Sequence, residues 1–181
     1  MNGVENDRFD PNGETTRAMV VTMIWRLAEE PESSKAASFT DVKDGAWYAP
    51  AVNWAAEAGI VNGYSDTVFA PNDDVTREQL AAILYRCYYG GLDPAALEGF
   101  VNAILSMLGD VSTDDFNEEK TPLPFEDADS VSEWASDAVY WAWDEGIING
   151  RTNTLLKPRD SATRAEVATM FLRLSSIIEP D

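Results

Sequence analysis

Apolar positions along the chain fall into two recurring patterns. The longer one comprises Met19, Val20, Met23, Ile24 and Leu27, then Leu80, Ile83, Leu84, Cys87 and Tyr88, then Val167, Met170, Phe171 and Leu174. Side chains three and four residues apart share one side of a helix, so each run predicts a helix with a single buried stripe. All three runs open at a Thr-Arg pair: Thr16-Arg17, Thr76-Arg77 and Thr163-Arg164. Glu29-Glu30-Pro31 ends the first and Gly90-Gly91 breaks the second. The shorter pattern reads Val52, Trp54, Ala55 and Ala58 before Gly59, then Ala138, Val139 and Ala142 before Gly146. Pro50 suits a first helical turn, and a glycine just past the last periodic residue is a favoured stop.

Between short and long helix lies a loop that recurs in register. Asn62-Gly63, Phe69, Pro71 and Thr76-Arg77 are echoed by Asn2-Gly3, Phe9, Pro11 and Thr16-Arg17, and by Asn149-Gly150, Leu156, Pro158 and Thr163-Arg164. Such self-similarity outranks any local motif, because it says that one structural unit is reused. The expected unit is short helix, glycine stop, extended loop, long helix, and the expected fold class is all-α. Arg17 and Arg77 are 60 residues apart and Arg77 and Arg164 are 87, so the third unit is displaced by 27 residues. The surplus contains Asp93-Pro94, a good helix start, and the stripe Leu97, Phe100, Val101, Ile104, Leu105 and Leu108. It predicts one inserted amphipathic helix packed on the domain, followed by an acidic loop from Asp110 to Glu119. The divisions are therefore a partial unit at 1–30, a linker at 31–38, a full unit at 39–90, an insertion at 91–124 and a full unit at 125–178, together one module. The first unit carries only its second half, which suggests a piece of a longer protein.

Composition narrows the chemistry. Six Trp, seven Phe and six Tyr support a real core, and the formal charge is −19 with no histidine. That surface repels nucleic acid and anionic membranes, and no apolar run reaches the ~18 residues of a membrane span. No signal peptide is evident at the amino terminus. The lone Cys87 sits in a helical stripe and reads as a small buried residue. The carboxylates are scattered over loops without a recurring pair, so no enzyme is expected. No metal and no cofactor are expected either, since the acidic loops Asp66 to Asp74 and Asp110 to Asp115 lack the alternation and glycine of an EF-hand. The alternative function is a structural or protein-interaction module without glycan binding, with or without stabilisation by calcium.

Taken together, Phe39-Thr-Asp41-Val, Trp47, Ala58-Gly59-Ile60-Val-Asn-Gly63-Tyr-Ser-Asp66, Phe69-Ala-Pro71-Asn72 and Val75-Thr76-Arg77-Glu resemble the S-layer homology repeat. Phe125-Glu-Asp127, Trp134, Glu145-Gly146-Ile-Ile-Asn-Gly150, Pro158 and Thr163-Arg164-Ala-Glu166 resemble it again, and the segment from Asn2-Gly3 resembles its second half. The resemblance implies three copies, the first truncated at its N-terminal half, in a pseudo-threefold helical module. It implies a non-catalytic anchor at the bacterial cell surface or cell wall, outside the cell, that binds secondary cell-wall polysaccharide bearing pyruvate ketals.

The resemblance also places ligand grooves between neighbouring repeats. Arg17 would work with Asp41, Trp47 and Gly63, and Arg77 with Asp127, Trp134 and Gly150, while Arg164 would face the absent half and leave a third groove incomplete. Homodimerisation through that incomplete repeat is the corresponding expectation. The residues themselves leave alternatives open. Thr76 with Gln79, and Thr163 with Glu166, form capping boxes that need no ligand, whereas Met19 cannot close the first. An arginine in a first helical turn opposes the helix dipole, so either a ligand anion shared with free backbone N–H groups or an ion pair to a loop carboxylate such as Asp66 would explain it. Trp47 and Trp134 suit sugar stacking or the core equally. Asp41 and Asp127 suit a sugar contact or a local turn cap. Gly63 and Gly150 are expected at positive φ. Trp54, Trp141 and Trp143 are expected in the core.

Overall fold

The computed structural model describes residues 10–89 and 122–178. Within them run α1 (Arg17–Leu27), α2 (Ala49–Glu57), α3 (Arg77–Tyr89), two 3-10 turns (Ala128–Ser130 and Glu133–Ala135), α4 (Ser136–Asp144) and α5 (Arg164–Ile178). Among the described residues there is no strand, only isolated bridges between loops, so the fold is all-α. The helix expected at 93–108, the acidic loop at 110–119 and the Asn2-Gly3 loop with Phe9 lie outside the described residues.

Local chemistry sets each boundary. Pro50 occupies the opening turn of α2. At the other end Gly59 takes φ 70°, its N–H donates to Ala56 O, and the Ile60 N–H reaches back to Ala55 O. This is the left-handed glycine stop, and Gly146 repeats it after α4 with φ 68°. Thr76 and Gln79 bond reciprocally at the start of α3, as do Thr163 and Glu166 at the start of α5. Thr16 can only accept from the Met19 N–H, so the first box is half closed.

The first two long helices pack against the short helix of the next unit, α1 on α2 and α3 on α4, and of the predicted stripe on α1 Met19 and Leu27 stay exposed. Val20, Ile24, Trp54, Leu80, Leu84, Val139 and Ile147 share one core. Trp54 and Trp141 are buried and Trp143 packs against the core partly exposed. Cys87 is buried as well, and burial pushes its thiol up to about 12, which removes it as a nucleophile.

The three loops before the long helices are joined in a cycle. Thr16 bridges Asp74, Thr76 bridges Ser161, and Thr163 bridges Glu14. The first two N–H groups of a helix have no acceptor within it. Here those of Arg17 and Ala18 donate to Asp73 O and Pro71 O, those of Arg77 and Glu78 to Asp160 O and Pro158 O, and those of Arg164 and Ala165 to Gly13 O and Pro11 O. The helix starts therefore staple the loops together.

Candidate functional site

The arginines that open the long helices are buried, at 4, 3 and 8% exposure for Arg17, Arg77 and Arg164. Each of the first two reaches across to the next unit's loop. Arg17 Nε donates to Phe69 O (2.9 Å) and Nη2 to Asn62 O (2.8 Å). Arg77 Nε donates to Leu156 O (3.0 Å) and Nη2 to Asn149 O. The acceptors occupy equal register positions in their loops. Neither arginine pairs with Asp66 or its counterpart, and the adjacent backbone N–H groups are already bonded to loop carbonyls. The dipole-opposed placement thus has a local explanation: a rigid, forked cation satisfies two carbonyls that the loop leaves over. Asn2 and Phe9, the register counterparts for Arg164, lie outside the described residues.

The carboxylates grip the same loops from the other side. Asp41 Oδ1 and Oδ2 accept from the N–H groups of Phe69 (2.9 Å) and Ala70 (2.6 Å), and Asp127 accepts from Leu156 (2.7 Å) and Lys157 (2.8 Å). They cap a backbone 28 to 30 residues away, not the turn into the short helix. Ala70 and Lys157 take φ 58° and 56°, a conformation that turns two successive N–H groups toward one carboxylate. Burial pushes both carboxyls up, but the backbone donors outweigh it and hold them below the ordinary aspartate value.

The glycines correct one expectation. Positive φ belongs to Gly45, Gly59 and Gly146, and not to Gly63 or Gly150. Their requirement is space. A Cβ on Gly63 would stand 2.4 Å from the carbonyl oxygens of Ser65 and Val68 and 2.6 Å from the Phe39 ring. One on Gly150 would stand 2.3 Å from Thr152 O and 2.6 Å from the Phe125 ring. The loop folds back so tightly on a ring from its own unit that no side chain fits.

Trp47 and Trp134 are the reverse of core residues, with 58 and 57% of their surface exposed. Trp47 meets Tyr48 edge-on, at 5.2 Å between centroids. So the structure gathers Arg17, Asp41 and Gly63 around the 62–70 loop, and Arg77, Asp127 and Gly150 around the 149–157 loop. It leaves the two indoles on the surface. Beside the first loop a polar cleft of about 750 Å³ is lined by Asn53, Glu57, Asn62, Gly63, Tyr64 and Asp66, among others. Among the described residues no group of three or more metal-ligating side chains gathers, including at Asp66 to Asp74.

Sequence reading missed the residues that finish each arginine. Arg17 lies over two rings, with its guanidinium carbon 4.7 Å from the Tyr64 centroid and 4.6 Å from that of Phe69. Gln79 touches Arg17 Nη1 at 3.5 Å. In the second loop the position of Tyr64 is Arg151 and that of Gln79 is Glu166. Glu166 pairs with Arg77 at 2.6 Å and Arg151 at 2.7 Å, and Arg151 also holds Asp160 at 3.0 Å. The signal was available in the register: the residue after Asn-Gly and the second after Thr-Arg both change between copies.

Comparison with known proteins bears on the whole arrangement. The S-layer homology domain profile matches residues 38–81 and 124–168. An amylopullulanase of Thermoanaerobacterium thermosulfurigenes is 33% identical over 172 residues, which is 95% of this chain and 8% of that protein. The surface-layer 125 kDa protein of Lysinibacillus sphaericus is 35% identical over 176 residues, 94% of this chain and 12% of its own length. A cellulosome-anchoring protein of Acetivibrio thermocellus is 25% identical over 177 residues, 96% of this chain and 34% of its own length. The chain thus spans about a third or less of the length of these relatives. Its two complete helix–loop–helix units each match the S-layer homology domain, one at residues 38–81 and the other at 124–168.

Proposed function

We propose that this chain is a non-catalytic attachment module that holds a larger exported protein at the bacterial cell surface by binding secondary cell-wall polysaccharide, with pyruvylated sugars as its recognised feature. The observation that carries the reading is the pair of S-layer homology repeats in a chain related along almost its whole length to a surface-layer protein and a cellulosome-anchoring protein. The amylopullulanase shares this stretch over only 8% of its length, which leaves its enzymatic part elsewhere. The cyclic bonding of the 13–16, 73–76 and 160–163 loops supports reading residues up to 30 as the second half of a third repeat, in a pseudo-threefold arrangement.

In this reading Asp41, Asp127, Gly63 and Gly150 shape the loops, and Arg17, Arg77 and Arg164 place positive charge behind them. Trp47 and Trp134 offer the wet aromatic faces on which a sugar ring can stack. Local cationic sites inside a −19 field are what an acidic glycan would need. The test is sedimentation with purified cell-wall sacculi before and after removal of the secondary polymer. Binding should require the polymer, and Trp47→Ala and Trp134→Ala should each weaken it about tenfold with unchanged thermal melting, the size of a modest aromatic hot spot. Equal binding to stripped sacculi, or unaltered binding by both variants, overturns the reading.

A further inference from the structure

Among the described residues Glu78 is the most deeply buried carboxylate, with 4% of its surface exposed. A buried carboxylate is costly unless donors surround it. Glu78 takes its donors from one residue of the next unit. Its Oε2 accepts from the Ser132 N–H (3.0 Å) and its Oε1 from the Ser132 hydroxyl (2.8 Å). It also sits in the first turn of α3, where the helix dipole favours an anion. The capping box of Thr76 and Gln79 accounts for the positions on either side of this pair and leaves Glu78 without a part in it.

Ser132 opens the 3-10 turn Glu133–Ala135, and that turn carries the exposed Trp134. The serine's N–H and hydroxyl both go to Glu78, while its carbonyl accepts from the Ala135 N–H at 2.9 Å. Consecutive residues of α3 thus hold two separate pieces of the next unit. Arg77 holds the 149–157 loop through Leu156 O and Asn149 O, and Glu78 holds the turn that presents the indole. The other long helices carry no such acid. The register counterparts of Glu78 are Ala18 on α1 and Ala165 on α5, and the counterpart of Ser132, two residues before Trp47, is Gly45. Ala18 has no side-chain acceptor, and Gly45, at φ 79°, has no hydroxyl to donate. Trp47 meets Tyr48 of its own turn instead, where Trp134 is followed by Ala135.

We propose that Glu78 is a positioning residue for Trp134: it ties the indole-bearing turn to the start of α3, so that the ring is held in place before any ligand arrives, a tie that Ala18 cannot give Trp47. A ring ordered in advance spares a ligand the cost of ordering it. The use of that ring for a sugar rests on the function proposed above, whereas the ordering of the turn does not.

The test uses the full chain and reads amide exchange together with sacculus binding. Glu78→Ala installs the residue that α1 and α5 already carry, so the helix start tolerates it. Exchange of the Ala135 N–H should quicken about tenfold, the scale of one lost charge-assisted hydrogen bond. The Ala49 N–H, which donates to Ala46 O beside Trp47, should exchange as in the parent. Ser132→Ala should act in the same direction, and Ser132→Thr, which keeps both donors, should hold the parent rate. On polymer-bearing sacculi Glu78→Ala should weaken binding about fivefold, the cost of ordering one side chain, in the parent and in a Trp47→Ala background alike. In a Trp134→Ala background it should weaken binding no further, because the effect runs through the indole. Equal weakening in that background, or unchanged exchange at Ala135, overturns the proposal, since Glu78 would then serve the fold at large. Binding that ignores the polymer defeats the glycan reading instead, and the exchange at Ala135 then decides the proposal alone.

Discussion

Where α1 meets the 62–70 loop, Arg17 donates to two carbonyls and is finished by neutral groups, the Tyr64 ring and the Gln79 amide. Where α3 meets the 149–157 loop, Arg77 makes the same two carbonyl contacts but is finished by charge, with Glu166 shared between Arg77 and Arg151. The inner half of the junction is thus constant and the outer half varies. Carbonyl oxygens and a forked cation fix how units assemble, while the two outer positions set the electrostatic character that a ligand would meet. Burial lowers the pKa of both arginines, yet neither loses its charge at any physiological pH. Among the described residues the first junction therefore holds a buried cation with no direct ion pair, and the second holds a closed ionic network. If an anionic group docks at these grooves, the first is the better host.

The comparison breaks most visibly if the constant half is not what carries assembly. Arg17→Met and Arg77→Met each strip a donor fork from two loop carbonyls, and each should cost about 3 kcal/mol, roughly two charged hydrogen bonds. Denaturant unfolding measures this, and lysine at either site should restore little because one ammonium cannot span both carbonyls. Similar losses at both sites would confirm a shared structural role. A near-neutral Arg17→Met would mean that the loop is held by Asp41 alone.

Asp41→Asn and Asp127→Asn come next, at about 2 kcal/mol each, since an amide can accept from only one of the two N–H groups. Their pH signature has a definite sign. Both carboxyls titrate below the ordinary value near 4 when folded, so their stabilisation is complete above that value and lost as pH falls through the depressed one. Melting temperatures of the parent should therefore drop below about pH 4, and the double Asn variant should show a shallower drop.

The helices, their caps and the repeat register were legible because each rests on local rules. Periodicity gave the stripes, Thr-x-x-Gln and Thr-x-x-Glu gave the reciprocal boxes, and glycine after the last apolar residue gave the stops at Gly59 and Gly146. The site was legible as a set of positions but not as a set of contacts. Arg17 and Asp41 act on backbone atoms tens of residues away, Asn62 O and Ala70 N–H among them, and backbone groups leave no trace in residue identity. Gly63 shows the same limit: a crowded carbonyl pair and a left-handed φ both demand glycine, and only coordinates tell them apart. The exposed Trp47 and Trp134 could not be separated from core tryptophans by type. Their place before the short helix, and not on its periodic face, was the available clue.

The smallest effect should come from exchanging the variable halves. Gln79→Glu places a carboxylate at the tip of Arg17, and Glu166→Gln removes it from Arg77. Each should change stability by about 1 kcal/mol, up for the first and down for the second, because the pairs are only partly shielded from water. At the parent's second junction, burial pushes the Glu166 carboxyl up while Arg151, the Thr163 N–H and Arg77 together hold it below its ordinary value. Its contribution is present above about pH 4.5 and fades as pH falls through the lowered value, so Glu166→Gln should flatten that part of the acid limb and Gln79→Glu should steepen it. Glycan binding should move the opposite way to stability at the first junction, since a resident carboxylate competes with an arriving one. Gln79→Glu that stabilises the chain and weakens sacculus binding would establish that the outer half tunes the ligand and the inner half holds the fold. If it stabilises the chain and leaves binding unchanged, the Arg17 charge serves assembly alone.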